Sequence, residues 1–221
     1  MIGASVIAID GPSGAGKGTV ARALARVLHC RHVDTGAMYR SVAWKAVHEG
    51  CPLDDDAAVA DVAQHAQFTL DGERVVIDEY DVTDLIRTPE MDVAAATVAR
   101  LEGVRVALVA QQRALAREGR VVMEGRDIGT TVFPDAAVKI YLDAAPEERA
   151  VRRTKDPAHQ FSKGAGIEEV TIALKTRDHL DRTRRASPLK LASDAVLIDT
   201  TGVSIDEVVA RVIGVVSEKL N

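Results

Sequence analysis

Short apolar runs and amphipathic stretches alternate along this chain, and their order sketches a fold. Ser5–Asp10 is an apolar run closed by a glycine-rich turn, the pattern of a strand buried on both faces. From Gly16 to Leu28 apolar residues recur at helical spacing (Val20, Ala23, Leu24, Val27), and Arg31–Asp34 reads as a second short strand. Helical patterns follow from Ala37 to about His48 and from Asp55 to about Gln67. The texture then changes. FTLDGERVVIDEYDVTDLI alternates around Asp71-Gly72, a hairpin signal, and a helical segment runs on to about Arg100. A long helix is expected at Val104–Glu118, then strands at Arg120–Met123 and Val138–Leu142 and a helix opening at Pro146 with PEERAVRR. The aperiodic stretch Asp156–Gly166 (DPAHQFSKGAG) reads as a short mobile loop or lid. Helix Ile167–Arg184, a Ser187-Pro188 break, strand Ala195–Ile198 and helix Ile205–Leu220 end the pattern. Strand–helix alternation of this kind predicts an α/β fold, a parallel sheet covered by helices on both faces.

Length makes this one compact domain with insertions, since 221 residues are about one and a half average domains. The expected core is 1–62, 103–148 and 167–221, with an insert at about 63–102 and a lid at about 149–166. Aromatic residues are only 3%, which argues against gripping single-stranded nucleic acid by base stacking. A net charge of −5 leaves no global basic footprint, so any polyanion site must be a local Arg/Lys cluster. Neither nucleic acid nor a membrane is expected as a partner. Cys30 and Cys51 have no metal spacing and point to a reducing compartment rather than a disulfide. MIGASVIAIDG lacks the basic start of a signal peptide, and no apolar run approaches the ~18 residues of a membrane span. A monomer in the cytoplasm is the expectation.

The densest chemical signal lies between the first strand and the first helix: Gly11-Pro12-Ser13-Gly14-Ala15-Gly16-Lys17-Gly18-Thr19. Backbone N–H groups in such a turn converge on a phosphate, and the helix N-terminus adds positive potential. Lys17 can reach β- and γ-phosphate oxygens. G-x-x-x-x-G-K is matched, but Gly18 follows and the hydroxyl comes one place later, at Thr19. The usual metal-binding Ser/Thr is therefore missing. Mg²⁺ bound with ATP must lean on nucleotide oxygens and water.

This loop, GPSGAGKGT, resembles that of the nucleoside monophosphate kinases. The likeness narrows downstream, with Asp34-Thr35-Gly36-Ala37-Met38-Tyr39-Arg40, Glu124-Gly125-Arg126-Asp127-Ile128-Gly129-Thr130, and Val132-Phe133-Pro134-Asp135-Ala136. Lys139-Ile140-Tyr141-Leu142-Asp143-Ala144, Arg177-Asp178 with Asp181 and Arg184, and Ser187-Pro188-Leu189 complete it. Together these are similar to the bacterial cytidylate kinases over nearly the whole chain. The resemblance implies a P-loop fold with a monophosphate-binding insert and lid, passing the γ-phosphoryl of ATP to CMP or dCMP.

Roles follow from that resemblance and from chemistry. Arg40, one turn into the helix opened by Thr35-Gly36, offers a bidentate guanidinium at a second anion site. Arg177, Asp181 and Arg184 are spaced i, i+4, i+7 and are expected on one helix face, gripping pentose and phosphate. The resemblance puts Asp127 at cytosine's N4 amino group, Arg105 at its ring acceptors, and Arg126 at the CMP and the reaction. Arg149 and Arg153 either close on ATP phosphates with the lid or form a basic surface balanced by Glu147 and Glu148. Glu124 either orients Mg²⁺ through water or caps the turn with Arg126; Asp10 has the same two readings, the structural one favoured. The resembling family offers a Ser to the base where this chain has Ala96, within a helix expected to end at Arg105, and Thr97 stands beside it. No histidine is assigned a role. Two rivals stay open, a kinase for UMP or AMP and a nucleotide-dependent switch, the latter disfavoured by the lack of an NKxD motif.

Overall fold

The computed structural model describes residues 6–156 and 166–220, so the centre of the expected lid, 157–165, lies outside the described residues. The chain runs β1 (Val6–Asp10), α1 (Lys17–Val27), β2 (Arg31–Asp34), α2 (Thr35–His48) and α3 (Asp56–His65). Three short strands follow, β3 (Phe68–Asp71), β4 (Arg74–Ile77) and β5 (Tyr80–Asp81), then α4 (Pro89–Val98) and α5 (Glu102–Leu115). The rest is β6 (Val121–Gly125), β7 (Val138–Asp143), α6 (Pro146–Lys155), α7 (Ile167–Thr183), β8 (Val196–Asp199) and α8 (Ile205–Leu220).

Five strands make one parallel sheet in the order β2-β6-β1-β7-β8. Side chains of a strand alternate between faces, so β1 serves two cores at once. Val6 and Ala8 pack with α2, α3, α4 and α5 on one side, while Ile7 and Ile9 pack with α1 and α8 on the other. The expected doubly covered parallel sheet is therefore present. Because all five strands are parallel, their carboxyl ends share one edge, the edge where open α/β sheets bind ligands.

Four departures from the sequence pattern matter for that edge. α2 begins at Thr35 rather than Ala37, because the Asp34 carboxylate caps it by accepting the Ala37 N–H at 3.0 Å. β6 runs on to Gly125, held by pairing with Asp10 on one side and, through Glu124, with Asp34 on the other. After it comes a π-helical turn, Ile128–Val132, that periodicity does not reveal. Its cause is tertiary: the two Asp10 carboxylate oxygens accept the N–H groups of Ile128 (2.9 Å) and Gly129 (2.7 Å).

Finally, the helix expected to carry Ala96 through Arg105 is two helices. α4 stops at Val98, and extended Leu101 caps α5, on which Arg105 sits. Gly103 lets α5 approach α3 closely, since a Cβ there would meet the Ala60 Cβ at 2.7 Å. The antiparallel sheet β3-β4-β5 bears the expected hairpin, with Asp71 paired to Arg74, and packs its Val75 and Ile77 against α2.

Candidate active site

A cleft of about 900 Å³ opens at the carboxyl edge of the parallel sheet. Residues 13–19 form one wall, while Gly11 and Pro12 stand behind it. Gly11 (φ 147°) passes so near β7 that a Cβ would lie 2.0 Å from the Leu142 carbonyl oxygen. Only glycine allows that path. Lys17 opens α1, is buried, and donates from Nζ to the Pro12 carbonyl at 2.7 Å. Burial, with Arg126 nearby, pushes its ammonium down to about 7.

The missing P-loop hydroxyl has a structural explanation. A Cβ on Gly18 would stand 3.2 Å from Glu124 Oε1 and 3.3 Å from Arg22 Nη1. The Glu124 carboxylate and the Arg22 guanidinium thus crowd the space a Ser or Thr side chain would enter. Glu124 does not cap a turn with Arg126: its Oε1 pairs with His32 Nε2 at 2.9 Å. Sequence reasoning left this His32 contact out, because a lone histidine in a strand carries no spacing signal. Asp10 takes the structural role, and burial raises its carboxyl to about 6.

The opposite side of the cleft is built from paired charges. Arg40 binds Asp34 at 3.1 Å. Burial disfavours the ionised Asp34, but Arg40, His32 and the Ala37 N–H outweigh it and set its carboxyl at about 2. Thr35 donates its hydroxyl to the Glu124 carbonyl at 2.7 Å, tying α2 to β6. Arg126 Nε meets Asp181 at 2.9 Å and Arg177 Nε meets the same oxygen at 3.5 Å. Burial works against the Asp181 carboxylate, and these two guanidiniums more than reverse it, holding it ionised.

Asp127 is buried yet lines the cleft, its two oxygens facing Arg105 Nη2 and, at 3.3 Å, Arg184 Nη2. Its side chain does not cap the following turn. The structure therefore brings Thr35, Arg40, Arg126, Asp127, Arg153, Arg177, Asp181 and Arg184 to the cleft together with residues 13–19.

Other expectations are corrected. Arg149, expected at the reacting phosphates, is buried behind the loop. It donates to the carbonyls of Ser13 and Ala144, each at 2.9 Å, and pairs with Asp178 at 2.6 Å. Every nitrogen of that guanidinium is engaged, so it clamps the loop to α7. Arg105 stands behind Asp127, over the Tyr39 ring at 5.6 Å, and does not line the cleft. Arg184 lies just past the end of α7 in extended conformation, so the three residues do not share one helix face. Ala95 and Ala99, rather than Ala96 or Thr97, line the cleft, and the Thr97 hydroxyl turns back to the Val93 carbonyl at 3.2 Å.

Asp92 and Arg87 also line the cleft without having been expected there. An acidic residue in a helix's first turn reads as a complement to the helix dipole, which hides any second use.

The family model described as cytidylate kinase matches residues 7–218. A curated cytidylate kinase of Desulforamulus reducens is 47% identical over 94% of this chain and 94% of that protein. One from Desulfitobacterium hafniense is 45% identical over 97% and 93%, respectively. Among solved structures, TT1252 from Thermus thermophilus shares the fold at a TM-score of 0.51 and 19% identity, covering 99% of this chain and 98% of that one. With a phosphate loop facing paired arginines across one cleft, and with relatives this similar along nearly its whole length, this chain belongs to the cytidylate kinase family.

Proposed function

We propose that the chain catalyses γ-phosphoryl transfer from ATP to CMP and dCMP, giving ADP with CDP or dCDP. One observation carries this reading: a phosphate loop and a second cluster of arginines face each other in the same cleft, next to a buried carboxylate, Asp127. A hydrolase or switch needs the loop alone. A phosphoryl transferase needs a second place for an anion.

The loop holds the ATP phosphates, and Lys17 exchanges the Pro12 carbonyl for a phosphate oxygen as charge develops during transfer. Val203, Ile205 and Val208 line the apolar end of the cleft and suit the base of ATP. Arg40 and Arg126 hold the CMP phosphate, with Arg177 and Asp181 at the pentose. The Asp127 carboxylate accepts from cytosine N4, where uracil would present another acceptor. Arg105 serves that pair from behind by holding Asp127 in place. Arg153, on α6, adds charge in the same cleft.

Mg²⁺ carried with ATP fits this donor set. Among the described residues no cluster of three acidic, histidine or cysteine side chains is placed to hold a bare ion. Glu124, wedged against the first turn of α1, suits a metal held through nucleotide oxygens and water. When bound, the ion supplies neutralisation of phosphate charge. A monomer acting in the cytoplasm completes the reading.

A coupled assay of ADP formation across CMP, dCMP, UMP and AMP tests it. CMP and dCMP should turn over at least about a hundredfold better in kcat/KM than the other two. ATP hydrolysis indifferent to added CMP would overturn it.

A further inference from the structure

Four guanidiniums converge where the two nucleotide phosphates would meet: Arg40, Arg126, Arg153 and Arg177. Asp34 serves Arg40, and Asp181 serves both Arg126 and Arg177. The third carboxylate is different. Asp92 comes from the first turn of α4 and reaches over to α6, where it pairs with Arg153 Nη2. Its main-chain carbonyl accepts from Arg177 Nη1 on α7. The Asp92 and Arg153 side chains are 26% and 15% exposed, so this is not a freely solvated pair.

On the kinase reading of the cleft, we propose that Asp92 is a resident anion of the phosphate-transfer site, setting phosphate affinity by competing for Arg153 with its carboxylate. A phosphate brings several acceptor oxygens and more charge than a carboxylate, and it needs donors that Asp92 now engages. Binding is therefore an exchange of one anion for another rather than a simple addition. Asp92 is also one of the carboxylates that let four like charges sit together. Without it the cluster is one unit more positive and holds any polyphosphate harder, products included. The exchange has a mechanical side. Displacing the Asp92 side chain breaks the ion pair between α4 and α6, and α4 carries Ala95 into the same cleft, with Ala99 at its C-terminal end. Arrival of a phosphate thereby loosens the helix beside the opposite end of the substrate.

The test uses the whole chain and inorganic pyrophosphate, titrated calorimetrically with no nucleotide present. Asp92→Asn is expected to bind pyrophosphate roughly fivefold to tenfold tighter than wild type, with the KM for CMP falling by a similar factor. Asp92→Ser, smaller and also neutral, should do the same. Asp92→Glu keeps the charge and should stay within about twofold of wild type. Unchanged or weaker pyrophosphate binding in the neutral variants overturns the proposal, as does Asp92→Glu behaving like Asp92→Asn. Tighter pyrophosphate binding in a protein that ignores CMP supports the resident anion and overturns the kinase reading instead.

Discussion

The two walls of the cleft are made in opposite ways. One is a single stretch of chain, Gly11–Thr19, whose shape comes from backbone: Gly11, Gly14 and Gly16 all have positive φ, and Lys17 is its one charged side chain. The other is assembled largely from side chains on α2, α7 and the turn after β6, whose charges pair with one another and with Arg105 behind them. A backbone-built wall offers donors that no substitution elsewhere readily removes. A wall of paired charges is tunable but coupled, so changing one member disturbs its partners. Single substitutions should therefore act cleanly on the first wall and diffusely on the second.

Lys17→Ala is the sharpest way to break that contrast. Its interaction belongs mainly to the transition state, so kcat should fall on the order of a thousandfold while CMP binding barely changes. Folding should not suffer, because the variant removes a buried ammonium that burial already disfavours. Steady-state kinetics and a melting curve read both. Turnover within a few-fold of wild type would remove the phosphate loop from the reaction.

Asp127→Asn tests the coupled wall, with a loss on the order of a hundredfold in kcat/KM for CMP. The CMP-over-UMP ratio should narrow, because an amide can turn its NH₂ toward uracil O4. The structure adds a second expected effect. Arg105 and Arg184 both rest on Asp127, so neutralising it leaves two buried guanidiniums short of a counter-charge and lowers the melting temperature. If CMP activity falls with the ratio unchanged, Asp127 serves only as a counter-ion and cytosine is read elsewhere.

The same contrast explains what could be read from the sequence. The phosphate loop was legible because its function and its local conformation are one thing, a glycine pattern between a strand and a helix. The five parallel strands were legible because burial on both faces leaves continuous apolar runs, as at VIAID. The second wall's residue types were visible, but not their partners. Arg149 and Arg153 sit four apart on α6 and looked equivalent, yet one clamps the loop from behind and the other meets Asp92. Nothing within PEERAVRR separates them; the neighbours do. The break between α4 and α5 was hidden for a related reason. Val98-Ala99-Arg100-Leu101 contains no glycine or proline, and the interruption comes from packing α5 on α3.

The smallest expected effect isolates the first wall by its protons. Lys17 titrates near 7 in the folded protein because burial, then Arg126, disfavours its charge. Between about pH 7 and the ordinary lysine range the unfolded chain binds a proton that the folded one lacks, so this group makes stability rise with pH across that window. Nucleotide binding should reverse the shift, since phosphate oxygens favour the ammonium. At pH 8 only about a tenth of Lys17 carries its proton, and binding ATP, whose phosphates are then deprotonated, should take up nearly one proton. At pH 6 Lys17 is already charged and the uptake should vanish. Asp34, at about 2, and Asp181, also lowered, stay ionised through the same range and add nothing to the signal. Calorimetric titrations in two buffers of different ionisation enthalpy measure the uptake directly, and Lys17→Met should abolish it. Equal uptake at both pH values, or uptake surviving in Lys17→Met, would mean that the titrating group lies outside the loop and that the two walls are not electrostatically separate.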